Sequence, residues 1–178
     1  MPTSILIQHV NTGILTACLV GSALSYYAYH VETAKELDKS YKPFCDISEH
    51  VSCTKAFMSE YGKGFGLVPE DSVLHVPNSI FGVLFYTLIA ILSFFNRQPY
   101  TGISVVLGLF SNLSSVYLSL ILYWLNDICL VCICTYIVNL AIVLLTFKKI
   151  HICSAEIAKR EKTKRNASTT EKSKKHSD

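Results

Sequence analysis

Charge is missing from most of this sequence. Four long stretches, 7–29, 76–95, 101–125 and 128–147, contain no Asp, Glu, Lys or Arg. Charged residues make up 16% of the chain and hydrophobic ones 51%, where a soluble domain carries roughly 25% charged residues. A charge at mid-membrane costs about 3 kcal/mol. An apolar run of about 20 residues is long enough to cross a hydrocarbon core about 30 Å thick. One such run could be the core helix of a soluble domain. Four, with almost nothing polar between the last three, exclude that and predict an all-α integral membrane protein built as a four-helix transmembrane bundle. Two further absences narrow the reading. The first stretch has no basic segment before it and is too long for a signal peptide, so it is expected to be an uncleaved span. The glycine-rich 62–68 segment lacks the Gly-Lys-Ser/Thr ending of a phosphate loop.

The charge that is present gives the orientation. Residues 148–178 hold ten Lys/Arg against Glu156, Glu161, Glu171 and Asp178. The short link 96–100 carries Arg97, while the 31–76 loop holds five Lys against eight acids, a net charge of −3. The positive-inside rule therefore predicts a cytosolic tail, and both termini are cytosolic by parity. The cap loop 31–76 and the Asn126-Asp127 turn then face the opposite side, the endoplasmic reticulum lumen in a eukaryotic cell, where disulfides persist. Residues 1–150 are expected to form the four-span domain and 151–178 a disordered basic tail. That tail is a topology signal with a possible anionic-lipid contact, and no nucleic-acid-binding fold accompanies it.

Seven cysteines stand at 18, 45, 53, 129, 132, 134 and 153. Cys18 and Cys153 read as spectators, one packing inside a span and one a free thiol. Cys129 and Cys132 form a CxxC at the start of the fourth stretch. Residues i and i+3 of a first helical turn can bridge, and a helix N-terminus stabilises a thiolate. A zinc site is a competing reading, because Cys45 and Cys53 could supply two further ligands. Those two lie eight residues apart, roughly 12 Å on a continuous helix. A disulfide needs roughly 4.4–6.8 Å between Cα atoms, so a bridged segment must contain a turn. Either the pair staples the loop, or two pairs on one membrane face relay electrons through a mixed disulfide.

The surroundings of the CxxC point to a ligand pocket. Cys129, Cys132 and Tyr136 share one helix face at i, i+3, i+7 spacing, with Tyr136 roughly 6 Å deeper than Cys132. Asn78 follows Pro77 at the start of the second stretch, as a helix cap or as a ligand contact. Phe81, Phe85 and Tyr86 follow it, while Phe57, Met58, Tyr61 and the glycine-rich segment supply a lid. A flat apolar ligand such as a lipid quinone fits this arrangement, with one polar group from Asn78 and another from Tyr136.

The segments "FCDISEHVSCTKAF", "GKGFGLV", "NSIFGVLFYTL" and "DICLVCICTYIVN", in that order across about 10–147, resemble the vitamin K epoxide reductase family. The resemblance implies a four-helix transmembrane bundle with a lumenal cap that reduces vitamin K epoxide to the quinone and the quinone to the hydroquinone. It implies that Cys132 attacks the substrate and Cys129 resolves the adduct, closing a Cys129–Cys132 disulfide. Cys53 then resembles the shuttle cysteine and Cys45 its partner in a loop disulfide. Thioredoxin-like or protein disulfide isomerase-type proteins of the endoplasmic reticulum would reduce that loop pair. Asn78 and Tyr136 resemble the hydrogen-bonding residues at the ligand oxygens, and Phe57 and Phe81 the apolar ring contacts. The resemblance implies no permanently bound cofactor and no metal, only substrate and dithiol reductant. Against the vertebrate enzymes, the segment after Val68 is expected to be shorter, Cys134 is an extra thiol and Tyr61 replaces a Trp.

Two other functions use the same residues. A quinone-driven generator of disulfides would run the relay backwards, since direction depends on reduction potentials. Family members of that kind often carry a fused thioredoxin-like domain, for which this chain leaves no room. A non-catalytic four-span scaffold would keep its cysteines as staples only.

Overall fold

The computed structural model describes residues 3–174, with side chains described for 4–166. Five α-helices run in chain order: α1 (Thr3–Leu37), α2 (Cys53–Phe57), α3 (Asn78–Phe94), α4 (Gln98–Trp124) and α5 (Leu130–Lys174). Two single 3-10 turns, Glu60–Gly62 and Gly64–Gly66, lie between α2 and α3. Among the described residues there are no β-strands, only isolated bridges. The architecture is a helical membrane bundle of α1, α3, α4 and α5 with the 38–77 segment folded over one end. Three of these helices are long and apolar enough to cross a membrane. α3 has 17 residues, roughly 25 Å at the α-helical rise, which is a little short of a full hydrocarbon core.

Each boundary has a local cause. α3 begins directly after Pro77, whose ring favours a helix start but not a helix interior. Pro99 occupies the first turn of α4, where its missing N–H would have had no partner. At the other end of α4, Asn126 takes φ 49°. The Asn126 N–H donates to Tyr123 O at 3.1 Å and the Asp127 N–H to Leu122 O at 3.1 Å. That is a Schellman closure with Asn as the left-handed residue. It turns the chain through Asp127 and Ile128 straight into α5, so the CxxC starts a new helix.

The tail expected to be disordered from residue 151 instead continues α5 as helix to Lys174. Ile152 still packs against the core and Cys153 is buried. Beyond them Ala155, Ala158 and a run of Lys, Arg and Glu have high helix propensity, and Glu156/Arg160 and Glu161/Arg165 stand at i,i+4 spacing. The expected boundary at 150/151 therefore falls inside one continuous helix. Residues 175–178 of that tail lie outside the described residues.

α1 packs against α3 and α5, and α5 also packs against α4. Val10, Ile14, Cys18, Tyr86, Ile89 and Ile142 form the main core, so Cys18 is a packing residue. Gly21 lets α1 approach α3 closely, because a Cβ there would collide with the Tyr86 ring. Tyr86 donates to Asn139 Oδ1 at 2.8 Å, and Asn139 Nδ2 donates to Ser115 Oγ at 3.0 Å. These bonds tie α3, α4 and α5 together where no water competes. Leu19, Phe94, Phe110, Leu113, Ile137 and Leu144 point outward and stay exposed. So much outward apolar surface belongs against lipid.

Candidate functional site

The cap is clipped to the start of α5 by backbone pairing. The Ile128 N–H donates to His50 O at 2.9 Å, and the Ser52 N–H donates to Ile128 O at 3.1 Å. Cys45 and Cys53 form a disulfide with 5.7 Å between Cα atoms, and the intervening residues fold back through a Ser48–Val51 turn. The bridged pair thus contains the turn that its spacing requires. Asp46 organises this unit: its carboxylate accepts from Ser52 Oγ (2.9 Å), Thr54 N (3.0 Å) and Thr54 Oγ1 (2.5 Å). Desolvation would raise its pKa, but the hydrogen bonds from Thr54 and Ser52 outweigh it and hold the carboxyl below its ordinary value.

This clip brings the two cysteine pairs together. Cys45, Cys53 and Cys129 share one buried cluster with Ala28 and Val131, and Cys132 packs against it. Cys53 and Cys129 are both fully buried. Cys129 and Cys132 are free thiols, as is the exposed Cys134. Cys129 directly precedes the first helical residue, and its sulfur accepts from the Cys132 N–H at 3.3 Å. The sulfur therefore occupies the place of a Ser or Thr cap oxygen on the third helical N–H, an environment that suits a thiolate. Beside it, burial pushes the Asp127 carboxyl above its ordinary value, against the opposing charge of Lys55.

Below the cap is a cavity of about 300 Å³, at the small end of ligand pockets. Phe57, Phe65, Asn78, Phe81, Cys132 and Tyr136 all line it. The four residues expected to contact the ligand, Phe57, Asn78, Phe81 and Tyr136, therefore line one cavity, while the expected lid residues Met58 and Tyr61, and Cys129, are not among its lining residues. The Tyr136 hydroxyl is buried and has no hydrogen-bond partner among the described residues. Asn78 is engaged: its Oδ1 accepts from the Phe65 N–H at 2.9 Å and its Nδ2 donates to Tyr61 O at 2.6 Å. It makes no side-chain cap on α3. Its amide clamps the glycine-rich lid and keeps one donor and one acceptor site in reserve.

Phe65 is the residue so clamped. It takes φ 57° and ψ 15° between Gly64 (φ 54°) and Gly66 (φ 68°), a left-handed geometry that costs an L-residue roughly 1–2 kcal/mol. Its N–H is held by Asn78, its carbonyl accepts from Tyr117 Oη at 3.3 Å, and its ring lies 5.7 Å from that of Phe81. The lid is also tied to α1 by Lys63, which meets Glu36 at 2.6 Å. The hydrogen bond to Glu36, with Glu32 behind it, holds the Lys63 ammonium above its ordinary pKa.

Sequence reasoning passed over several of these residues. Tyr117 holds the lid from α4, and Ser111, Ser114 and Ser115 line the cavity from the same helix. The serines stand at i, i+3, i+4, a polar stripe that was readable in an otherwise apolar span.

A helical membrane bundle that packs one cysteine pair against another, with a single thiol open to an apolar cavity, defines a class: the membrane-embedded thiol oxidoreductases. Within that class the comparisons are specific. The model of the vitamin K epoxide reductase family matches residues 13–147. Vitamin K epoxide reductase complex subunit 1 of Mus musculus is 45% identical over 141 residues, covering 76% of this chain and 88% of that protein. The Rattus norvegicus protein of the same name is 40% identical over the same shares. The chain belongs to the vitamin K epoxide reductase family.

Proposed function

We propose that this protein reduces the 2,3-epoxide of a vitamin K naphthoquinone to the quinone, and the quinone to the hydroquinone. The electrons pass from dithiol proteins through Cys45 and Cys53 to Cys129 and Cys132. One observation carries the reading: Cys132 lines the cavity, while Cys129 is withdrawn from it into the cluster that holds Cys53. That division suits attack by Cys132 and exchange by Cys129. The names of the mouse and rat relatives support the substrate.

In this mechanism the Cys132 thiolate adds to a ring carbon as the epoxide C–O bond opens. Tyr136, with a free hydroxyl facing the cavity, donates to the developing oxygen charge, and Asn78 adds its spare amide hydrogen. Phe57 and Phe81 hold the ring. Cys129 then attacks the Cys132 sulfur, the C–S bond breaks, and oxygen leaves as water. Cys53 next exchanges with Cys129, which returns the CxxC to thiols and closes Cys45–Cys53. The redox state described above, with the loop pair bridged and the CxxC free, is the state after such a relay and before the next substrate. The cap is read as lumenal and both termini as cytosolic, in the endoplasmic reticulum membrane. Lumenal proteins of the thioredoxin or protein disulfide isomerase type are then the reductants.

The test is reduction of vitamin K epoxide by the protein in membranes with a small dithiol. The native chain is expected to turn over and Cys132→Ala to be inactive. Equal turnover by both would reject the assignment.

A further inference from the structure

Among the described residues, and besides the two carboxylate oxygens of Asp127, three buried polar atoms at the cap end of the bundle have no hydrogen-bond partner: Glu32 Oε1, Ser79 Oγ and Tyr136 Oη. All three residues line one chamber of about 80 Å³, and Cys132 lines it as well. This chamber adjoins the larger cavity, and Ala28, Phe57, Asn78, Ser79, Leu118, Cys132 and Tyr136 line both. Glu32 is 3% exposed. A buried polar atom without a partner is costly, and an acid inside a membrane bundle calls for a functional explanation. The chamber is walled mostly by apolar side chains, with Glu32, Ser79 and Tyr136 among its few polar groups, and its volume is enough for two or three waters, at roughly 30 Å³ each. Glu36 stands one helical turn on from Glu32 along α1, and its ion pair with Lys63 is partly exposed.

We propose that this chamber is a hydrated proton path that runs from the Glu36–Lys63 surface pair through Glu32 to Tyr136 and Cys132. The proposal rests on the reading of Cys132 as the attacking thiol. The reaction needs such a path. Dithiol reduction of an epoxide moves two electrons and two protons: an S–C bond forms as C–O opens, then S–S forms as S–C breaks. The oxygen leaves as water with both thiol protons. The Cys132 proton must leave sulfur before attack, and a proton must reach oxygen afterwards. Cys132 and Tyr136 both line the chamber and the cavity, so one carboxylate behind them serves both transfers.

Glu32 is therefore a positioning residue that acts through water and Tyr136. The titratable groups around it are Glu36 on α1, Lys63 and Tyr61 from the lid, and Cys132 and Tyr136 on α5. α2, α3 and α4 contribute only uncharged walls.

The test compares the full chain in membranes with Glu32→Gln, which is nearly isosteric, and Glu32→Asp. With dithiol and vitamin K epoxide, Glu32→Gln is expected to lower kcat roughly 100-fold, at the low end of general acid–base contributions. KM should stay within about twofold, one limb of the kcat–pH profile should disappear, and Glu32→Asp should recover most of the rate. A second arm needs no substrate. The infrared difference between oxidised and dithiol-reduced protein should contain a carboxyl C=O band in the native and Asp proteins that is missing from the Gln protein, whatever band Asp127 contributes to all three. If the native chain fails to reduce the epoxide, the function reading falls and this band still decides the path. Identical difference spectra for native and Glu32→Gln proteins overturn it, as does a Gln variant with an unchanged pH profile or an effect on KM alone.

Discussion

Consider Asn78→Ala, which removes both hydrogen bonds that clamp the lid. The Phe65 N–H loses its acceptor at 2.9 Å and the Tyr61 carbonyl loses its donor at 2.6 Å. Each bond contributes about 1 kcal/mol net, and up to about 3 kcal/mol where the abandoned group stays buried. The turn is half-buried and water can reach it, so the lower figure applies to each, for a total of about 2 kcal/mol. That loss falls on a residue whose left-handed backbone already costs roughly 1–2 kcal/mol. Tyr117 would then hold Phe65 itself through its carbonyl, with the Gly64–Val76 bond and the Lys63–Glu36 pair holding the turn beside it. At 1.36 kcal/mol per decade, 2 kcal/mol is about a 30-fold larger opening equilibrium. The reporters are the amides of Gly64 and Gly66, which donate to Val76 O and Lys63 O at 3.0 Å each. Native-state hydrogen exchange should show both accelerating by about 30-fold. The Ser52 amide, bonded to Ile128 O at 3.1 Å, should not change. Native rates at Gly64 and Gly66, or equal acceleration at Ser52, would refute the clamp.

Phe65→Gly should have opposite effects on turn and site. The turn gains about 1 kcal/mol because glycine accepts φ > 0, so Gly66 exchange slows, while loss of the ring raises substrate KM several-fold. Asp46 makes the cap sensitive to acid. Its carboxyl titrates below the ordinary value in the folded protein, so its stabilising effect is complete above the unfolded pKa of about 3.9 and fades as pH falls through the folded pKa. Asp46→Ala, which removes three hydrogen bonds at about 1 kcal/mol each, should weaken cap docking by about 3 kcal/mol at neutral pH and abolish this acid-side loss. Both effects are measurable as maleimide access to Cys129 against pH.

The helices were legible because lipid tolerates so little charge: four charge-free stretches became α1, α3, α4 and α5. Their ends were less so. α5 runs far past 147 because Ala155, Ala158 and the Glu and Lys around them are helix formers as well as polar residues, and polarity alone read as disorder. The site was legible where chemistry and helical spacing coincide, as in Cys129, Cys132 and Tyr136. Asn78 left two readings open because its partners, Phe65 and Tyr61, come from a turn whose left-handed geometry no pattern announced. Glu32 was hidden by bookkeeping of a physical kind. It was counted among the charges of the 31–76 loop, yet helical packing of α1 buries it beside the thiol site. The Val51–Ile128 pairing joins residues far apart in sequence, so nothing local pointed to it.

In the proposed relay, electrons cross from the loop pair to the CxxC through Cys53 and Cys129. The most direct measurement is peptide mapping of the Cys45→Ala/Cys132→Ala double variant under non-reducing conditions, after mild oxidation in membranes. Only the two cysteines assigned to the exchange then remain at the site. A Cys53–Cys129 disulfide is expected as the dominant cross-link. Recovery of Cys53 and Cys129 as separate free thiols, or Cys53 bonded to Cys134, would contradict it.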